Sequence, residues 1–543
     1  MGDDAASPYR TELEDLNAQI CRLRQQSDEL EARLQVMASL QAAASEAAGT
    51  LKGAAEHLRA AARTKPYRLA NFLRRLERDL VKGSATDRKH AWRWLREIFR
   101  GRPTALAQAK NPLLDEVATI LEVSAKLQEA EIAAFALASR REPPSRHDVI
   151  SFSALDPTSQ EHRLQDVMSQ FAAAGHRVFS IVLRFDSEPR PYQLIEIARN
   201  MYQVSVSTRQ VDVPTDQLDS VSRETAFSAL DALRHEHAIG AAVSYVHMPF
   251  WRPLVECLRT QFAWPVVYDG EVGHGQFAAT TAAVREAFPL ASVIIVTYNN
   301  LPFSRLCLQT LYSTTEWPNF EVIVVDNAST DGTREYLRQA EVEFPRLRVV
   351  LNDANLGFAR ANNIGLQIAK GEYLVLLNND TALVRGWLST LIRHLVADST
   401  IGLIGPATNE TCNEAKVAVG YRELDQMPSW AAAFTRKNDG YVFDVPMLAM
   451  FCVAMRRAAF TGIGPLDERF GIGMFEDDDY SQRMRNGGHR VVCAADAFVH
   501  HFGCASFQSL KASGAYERLF AENRRRYEDK WNMAWTPHLP GAL

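Results

Sequence analysis

Cysteine is scarce in this chain, and its few cysteines form no pattern. Cys21, Cys257, Cys307, Cys412, Cys452, Cys493 and Cys504 include no CxxC pair. That spacing argues against a zinc ribbon or a disulfide framework and suits a reducing cytoplasm. The N-terminus, MGDDAASPYR, lacks an apolar signal region. The longest apolar run, around Val445–Met455, is too short to span a bilayer. An excess of one charge is missing too: 60 Lys and Arg stand against 65 Asp and Glu, a net −5, so the whole chain is no obvious nucleic-acid binder. The 543 residues are 47% hydrophobic and 23% charged. They read as a soluble cytoplasmic protein of about two to four domains.

What is present begins with a heptad. Apolar residues fall at Leu13, Leu16, Ile20, Leu23, Leu30, Leu34 and Met37, with Ser27 at the one polar seam position. This is about 37 Å of helix. Its flanks alternate in charge. Two readings follow: a helix packed on its own domain, or an oligomerising coiled coil that makes the protein a homo-oligomer. We assign residues 1–60 to the coiled coil. Next, Arg63–Arg102 carries thirteen Lys/Arg against four Asp/Glu, interleaved with Tyr67, Phe72, Trp92, Trp94 and Phe99. Within a basic helical region, 61–140, such a segment suits peripheral contact with the anionic inner face of a plasma membrane. It equally suits docking on an acidic part of the same chain. Nucleic acid is a distant third, because no fold signature accompanies the charge.

REPPSR, residues 141–146, reads as a linker. Beyond it, HDVISFSA, FSIVLRF, GAAVSYVHMPFW and PVVYDG read as strands between helices, one of which ends at Gly175. That alternation predicts a Rossmann-like α/β domain over 141–285. Its AGHRV helix end and VVYD strand end resemble the N-terminal lobe of two-lobed, GT-B-type glycosyltransferases. No second lobe of that kind follows, so the expected role is recognition or scaffolding.

From 286 to 512 the strands end in polar residues. VIIVTYNN ends in Thr297, Tyr298 and Asn299; VIVVDNASTDGT in Asp326 and Asn327; the turn NLG holds Asn355 and Gly357; YLVLLNNDT ends in Asn378, Asn379 and Asp380. In open parallel sheets ligands sit at carboxyl strand ends, so successive polar ends predict one pocket.

This segment, Ser292 to about Phe507, resembles the family 2 glycosyltransferases, which have the GT-A fold. VIIVTYNN, VIVVDNASTDGT, NLGFARANNIG, YLVLLNNDT, FEDDDYSQRMRNGGHRV and DAFVHHFGCAS match in order and spacing. The tail ENRRRYEDKW, within 513–543, is similar to members that build bacterial surface polysaccharide. The resemblance implies a fold class: α/β, a GT-A nucleotide-sugar-binding domain plus a second Rossmann-like α/β domain, with an N-terminal helical coiled coil. It also implies metal-dependent transfer with inversion from a nucleotide-diphosphate sugar to a glycan or lipid-linked acceptor. The cofactor is a divalent cation, Mn2+ or Mg2+, held by Asp380 and, from its position in AFVHHFG, His500. His501 is expected to point elsewhere. The Asn–Asn–Asp triplet looks like that of rhamnosyl-transferring members, which favours dTDP-rhamnose, with a UDP-sugar open. Thr297, Tyr298, Asn299, Asp326, Asn355, Gly357, Asn363, Asn378 and Asn379 take the nucleotide-sugar roles.

MFEDDDYSQR puts Glu476, Asp477, Asp478 and Asp479 in a row. In a helix successive side chains turn by about 100°, so the four cannot share one pocket. By resemblance Asp477 is the catalytic base, Glu476 or Asp479 positions acceptor or base, and Asp478 faces solvent. A processive synthase would add membrane helices and a Gln-x-x-Arg-Trp motif, and neither is present. The competing reading is a non-catalytic coiled-coil scaffold of a glycan-assembly complex.

Overall fold

The computed structural model describes residues 12–27, 112–141, 145–152, 161–184, 190–207, 218–268, 277–503 and 515–538. The basic 63–102 segment and the seam positions Leu30, Leu34 and Met37 lie outside them. Two compact units divide the chain. One is residues 1–141, 421–426 and 504–522; the other is 142–420, 427–503 and 523–543.

In the first unit a helix over 12–27 meets the helix Pro112–Arg141. Ile20 packs with Leu127, Ala130 and Ala134, and Leu13, Leu16 and Leu23 border that cluster. Arg24 Nη2 donates to Glu131 Oε1 at 2.8 Å. Over the described residues the seam positions Leu13, Leu16, Ile20 and Leu23 pack on a helix of the same chain, the first of the two arrangements that the heptad allows. An apolar stripe specifies burial but not which helix supplies it. Among the described residues no helix is long and apolar enough to cross a membrane.

The second unit holds two sheets. The first joins β1 (Asp148–Phe152), β2 (Val178–Arg184), β3 (Tyr192–Ala198), β4 (Met201–Ser207), β5 (Ala242–Val246) and β6 (Val266–Tyr268) in the order β3-β4-β2-β1-β5-β6. All neighbours are parallel except the β3–β4 pair. The helix Ser220–Glu236 starts where the Asp219 carboxylate accepts from the Val221 and Ser222 amides, an N-cap worth about 1 kcal/mol. It buries Ala226, Leu230 and Leu233 against the sheet.

The second sheet has nine strands: β7 (Ala291–Thr297), β8 (Phe320–Asp326), β9 (Leu347–Leu351), β10 (Tyr373–Asn378), β11 (Thr381–Leu383), β12 (Ile401–Ala407), β13 (Val442–Asp444), β14 (Cys452–Arg456) and β15 (Arg490–His501). The order is β11-β15-β12-β14-β10-β7-β8-β9, with β13 on β15. Strands β7 to β10 run parallel, whereas β14 runs antiparallel to β10 and β12. The continuous apolar runs VIIV and VIVV reflect burial on both faces. One apolar cluster serves both sheets. It joins Val149, Phe171, Tyr245 and Phe288 to Ile295, Leu311, Trp317 and Trp387. The Phe277–Ala287 helix runs almost directly into β7.

Candidate active site

The parallel strands β7, β8 and β10 deliver their carboxyl ends to one margin of the sheet, and the turns there are stitched together. Thr297 Oγ1 donates to Asp326 Oδ1 at 3.0 Å. Asp326 also accepts from the Ser329 amide and hydroxyl, and Arg334 lies 3.7 Å away. Asn299, in a left-handed conformation (φ 55), donates its amide to Ser329 and accepts from Thr330 N–H at 2.7 Å. Asn327 donates to the Gly357 carbonyl and accepts from Asn352. Asn355 closes its own turn on the Gly357 amide at 3.0 Å. Tyr298 stays 37% exposed. Against this frame its ring is open to a ligand.

Gly357 is required by its surroundings. Its φ is +86, and a Cβ there would lie 2.0 Å from the Gly471 carbonyl oxygen. The close approach expected at this turn is therefore to the chain's own backbone, where Phe358 N–H donates to the Ile472 carbonyl. Asn363 belongs to the same clamp. It donates to the Leu466 carbonyl and Glu468 and accepts from Leu466 N–H. Buried, with its side-chain amide hydrogen-bonded at both the nitrogen and the oxygen, it holds the 466–472 segment. Asn379 is likewise engaged: its amide turns inward to Ser304 Oγ at 2.9 Å. Asn378 is half-buried, with its backbone engaged by Phe451 and Thr381.

The histidine expectation is reversed. His501 Nε2 lies 3.3 Å from Asp380 Oδ1, while His500 packs its ring on Phe502. Strand alternation makes neighbours face opposite ways, but it does not say which one faces the site. Here Asn409 pairs with both the N–H and the carbonyl of His501. The Glu410 carbonyl takes a hydrogen bond from His501 Nδ1 at 2.9 Å, which places a proton on Nδ1 and turns Nε2 toward Asp380. Nε2 is buried and hydrogen-bonded to none of the described residues. Nε2 and the buried Asp380 carboxylate can share either a proton or a cation. Burial opposes a charged His501, but Asp380 outweighs it and the net shift is upward. Burial and the His501 charge push His500 down to about 3. Among the described residues no cluster of three or more His, Cys, Asp and Glu could hold a metal ion.

The acidic row opens the helix Glu476–Asn486. Met474 and Phe475 precede it at φ 77 and 72. Left-handed non-glycine residues in tandem are strained, and strain of this kind collects at functional sites. The four acids go separate ways. Asp479 is buried and tied to Arg483 Nε (3.0 Å), Lys530 Nζ (2.5 Å) and Trp531 Nε1 (3.0 Å). It is a structural anchor for the tail helix, which corrects its assignment to acceptor or base. Asp478 accepts from Trp535 Nε1 at 2.9 Å and meets His538 Nε2 at 2.7 Å, so it does not face solvent. Glu476 is buried with Oε2 unbonded; burial, then the Asp477 charge, holds its carboxyl well above the usual range. Burial, then the Asp478 charge, pushes Asp477 up to about 7. Asp477 is thus held where a carboxyl can exchange a proton near neutral pH.

The residues that sequence reasoning missed are the supports. Asn409 grips His501, and Asn523 donates to the Phe470, Gly473 and Met474 carbonyls beneath the strained turn. The i,i+4 spacing of Asp479 and Arg483 was a readable signal. The partnership with Lys530, Trp531, Trp535 and His538 left none.

Comparison with known proteins agrees with this geometry. A model described as glycosyl transferase family 2 matches residues 292–464. Glycosyltransferase AglE of Haloferax volcanii is 33% identical over 216 residues, covering 39% of this chain and 67% of that protein. O-antigen biosynthesis protein RfbC of Myxococcus xanthus is 27% identical over 267 residues, 46% of this chain and 20% of that protein. An N-acetylglucosaminyl-diphospho-decaprenol L-rhamnosyltransferase of Mycobacterium tuberculosis is 27% identical, over 38% of this chain and 75% of that protein. Among solved structures, the mannosyltransferase PcManGT from Pyrobaculum calidifontis in complex with GDP-Man and Mn2+ is 23% identical, over 44% of this chain and 64% of that one, at a TM-score of 0.32. The chain belongs to glycosyltransferase family 2. It spans 20% and 29% of the length of two of the curated relatives it matches.

Proposed function

We propose that this chain transfers a sugar, with inversion, from a nucleotide-diphosphate donor to a hydroxyl of a glycan or lipid-linked acceptor in bacterial cell-surface polysaccharide synthesis. The observation that carries the reading is the buried Asp380–His501 pair at the ends of β10 and β15. A scaffold has no use for a buried carboxylate and a buried imidazole set side by side at the strand ends. These two would hold a divalent cation, Mn2+ or Mg2+, which neutralises the charge that builds on a leaving diphosphate. Tyr298 offers its exposed ring to the nucleobase, and Asn378 offers a side chain to ribose or sugar.

Asp477 is the base in this reading. The acceptor oxygen forms its bond to the anomeric carbon as the bond from that carbon to the diphosphate oxygen breaks. The hydroxyl proton passes to the Asp477 carboxylate. Glu476, held neutral by burial, can donate a hydrogen bond to the acceptor. The rhamnosyltransferase among the relatives supports dTDP-rhamnose as donor, with a UDP-sugar as the alternative. The six-stranded sheet of 148–268 serves as a second, non-catalytic α/β domain.

The test is a thermal-shift panel of UDP, GDP and dTDP, each with and without manganese. A ligand at a hundred times its Kd raises stability by about 2.7 kcal/mol. A manganese-dependent shift with one nucleotide, lost in Asp380→Ala and His501→Ala but kept in His500→Ala, is expected. No shift with any nucleotide would move the reading toward a scaffold.

A further inference from the structure

Beyond the helix that ends at Trp531, the tail returns to the acidic row. Trp535 N–H donates to Glu528 Oε1 at 3.0 Å, which fixes the turn. The Trp535 indole reaches Asp478 Oδ1, and its ring packs on Phe475 at 5.2 Å. His538 Nε2 meets the same Asp478 oxygen at 2.7 Å. The tail therefore grips the residues on both sides of Asp477. From the other elements, the acids whose fields reach His538 are Asp478, Asp477 and Glu414, and Glu414 Oε2 is buried without a hydrogen bond. From the tail itself, Glu528 is engaged by Arg524 and Trp535, and Arg524 stacks 5.8 Å over the Trp535 ring. Burial alone would discharge His538, but the hydrogen bond and charge of Asp478 outweigh it and favour the imidazolium.

Two charges act on Asp477 in opposite senses. The Asp478 carboxylate resists its ionisation and the His538 cation promotes it. We propose that Trp535 and His538 form a C-terminal latch: they hold the Asp478 carboxylate, next to Asp477 on the same helix turn, and thereby tune the proton affinity of Asp477 as it meets the acceptor. His538 is a positioning residue in this scheme, and the inference rests on Asp477 being the base. It gives the tail a task that its sequence does not advertise, since the chain stabilises its own base from a segment far outside the family-matched 292–464.

The experiment has two readouts on the full chain. The first needs no substrate: the His538 imidazole is titrated by carbon-edited NMR. Its midpoint should lie above the usual histidine value, fall in Asp478→Asn and fall less in Asp477→Asn. The second is manganese-supported hydrolysis of dTDP-rhamnose or UDP-glucose, with water standing in for the acceptor. His538→Gln should move the acid limb of the pH profile upward by about half a unit or more, roughly a threefold loss at the foot of the limb, with the alkaline plateau kept. Asp478→Asn should move the limb downward, the double variant should restore it, and His538→Lys, a permanent cation, should hold it at or below the wild-type position. The latch is overturned if Asp478→Asn leaves the His538 midpoint in place. It is equally overturned if His538→Gln lowers the rate by one factor at every pH, which is what simple loosening of the tail does. If Asp477→Asn hydrolyses donor at the wild-type rate, the base reading fails and the latch with it. If that variant is inactive and the limb stays still, only the latch fails.

Discussion

At the ends of β7 and β8 the polar side chains are spent on one another, whereas at the start of the Glu476 helix they are held back. Asp326 sits fully buried and accepts from Thr297 and twice from Ser329, with Arg334 nearby. Glu476 and Asp477 lie behind a strained turn, their ionisation opposed by burial. Buried charge is usually paired because leaving it unpaired costs several kcal/mol. The first region follows that rule and is a frame. The second departs from it, and departures of this kind mark sites where chemistry sets the requirement.

The comparison breaks most visibly at Asp477. Asp477→Asn should lower transfer by about a thousandfold, the range expected for loss of a general base, with donor affinity within about threefold. Isothermal titration with the nucleotide against steady-state rates separates the two effects. The sign for stability is opposite. The folded Asp477 carboxyl titrates at about 7, above its ordinary value, so its contribution is present at low pH and is lost as pH rises through about 7. Asn carries no such charge. The variant should therefore unfold at a higher temperature than wild type at pH 8, with the difference shrinking as pH falls and gone below about pH 4, the ordinary Asp value. Wild-type transfer should rise with pH through the same window. Loss of donor binding together with transfer would remove Asp477 from the base role.

Asp326 should behave the other way round. Asp326→Ala leaves Thr297 and the Ser329 amide and hydroxyl without their shared acceptor, and Arg334 without its nearby counter-charge. Losing a buried network of this kind costs about 2–4 kcal/mol, so the unfolding midpoint should drop by several degrees whether or not nucleotide is present. An unchanged midpoint with weakened nucleotide binding would make Asp326 a ligand group and not part of the frame.

How much of this was legible follows the same division. The parallel core was readable because VIIV and VIVV are continuous apolar runs ending in polar residues, a pattern that strand burial dictates locally. The paired strands β3 and β4 were not read, since the alternation in YQLIEIA and MYQVSVS on a sheet edge is weak. The antiparallel insertion of β14 between β10 and β12 is a choice among tertiary partners that no local pattern encodes. Within the site, Asp380, Asp477 and the Gly357 turn could be read from motif spacing. The position in AFVHHFG points to His500, whereas His501 is the neighbour set beside Asp380: alternation fixes parity and not phase, and Asn409, which grips His501, pairs from a turn about ninety residues away. Asp479 was miscast for a similar reason: Lys530 and Trp531 reach it from the tail. Long-range partners of charged residues are the part of a site that a sequence conceals.

The smallest expected effect tests the edge of the frame. Tyr298 follows β7 directly and is the one aromatic among the proposed nucleotide-binding residues; its neighbours Thr297 and Asn299 are committed to Asp326, Ser329 and Thr330. An exposed ring beside a rigid turn stabilises the fold little. If it stacks on a base, its removal should cost about 1–1.5 kcal/mol of binding, roughly a tenfold weakening of nucleotide affinity. Tyr298→Ala should therefore weaken nucleotide binding with the unfolding midpoint within about one degree, and Tyr298→Phe should keep the affinity, because stacking needs the ring and not the hydroxyl. If Tyr298→Ala binds as wild type does, base recognition lies with backbone groups of the stitched turns. If Tyr298→Phe is as weak as Tyr298→Ala, the hydroxyl makes the contact, and the frame would then contain one reserved polar group of the kind otherwise found only at the acidic helix.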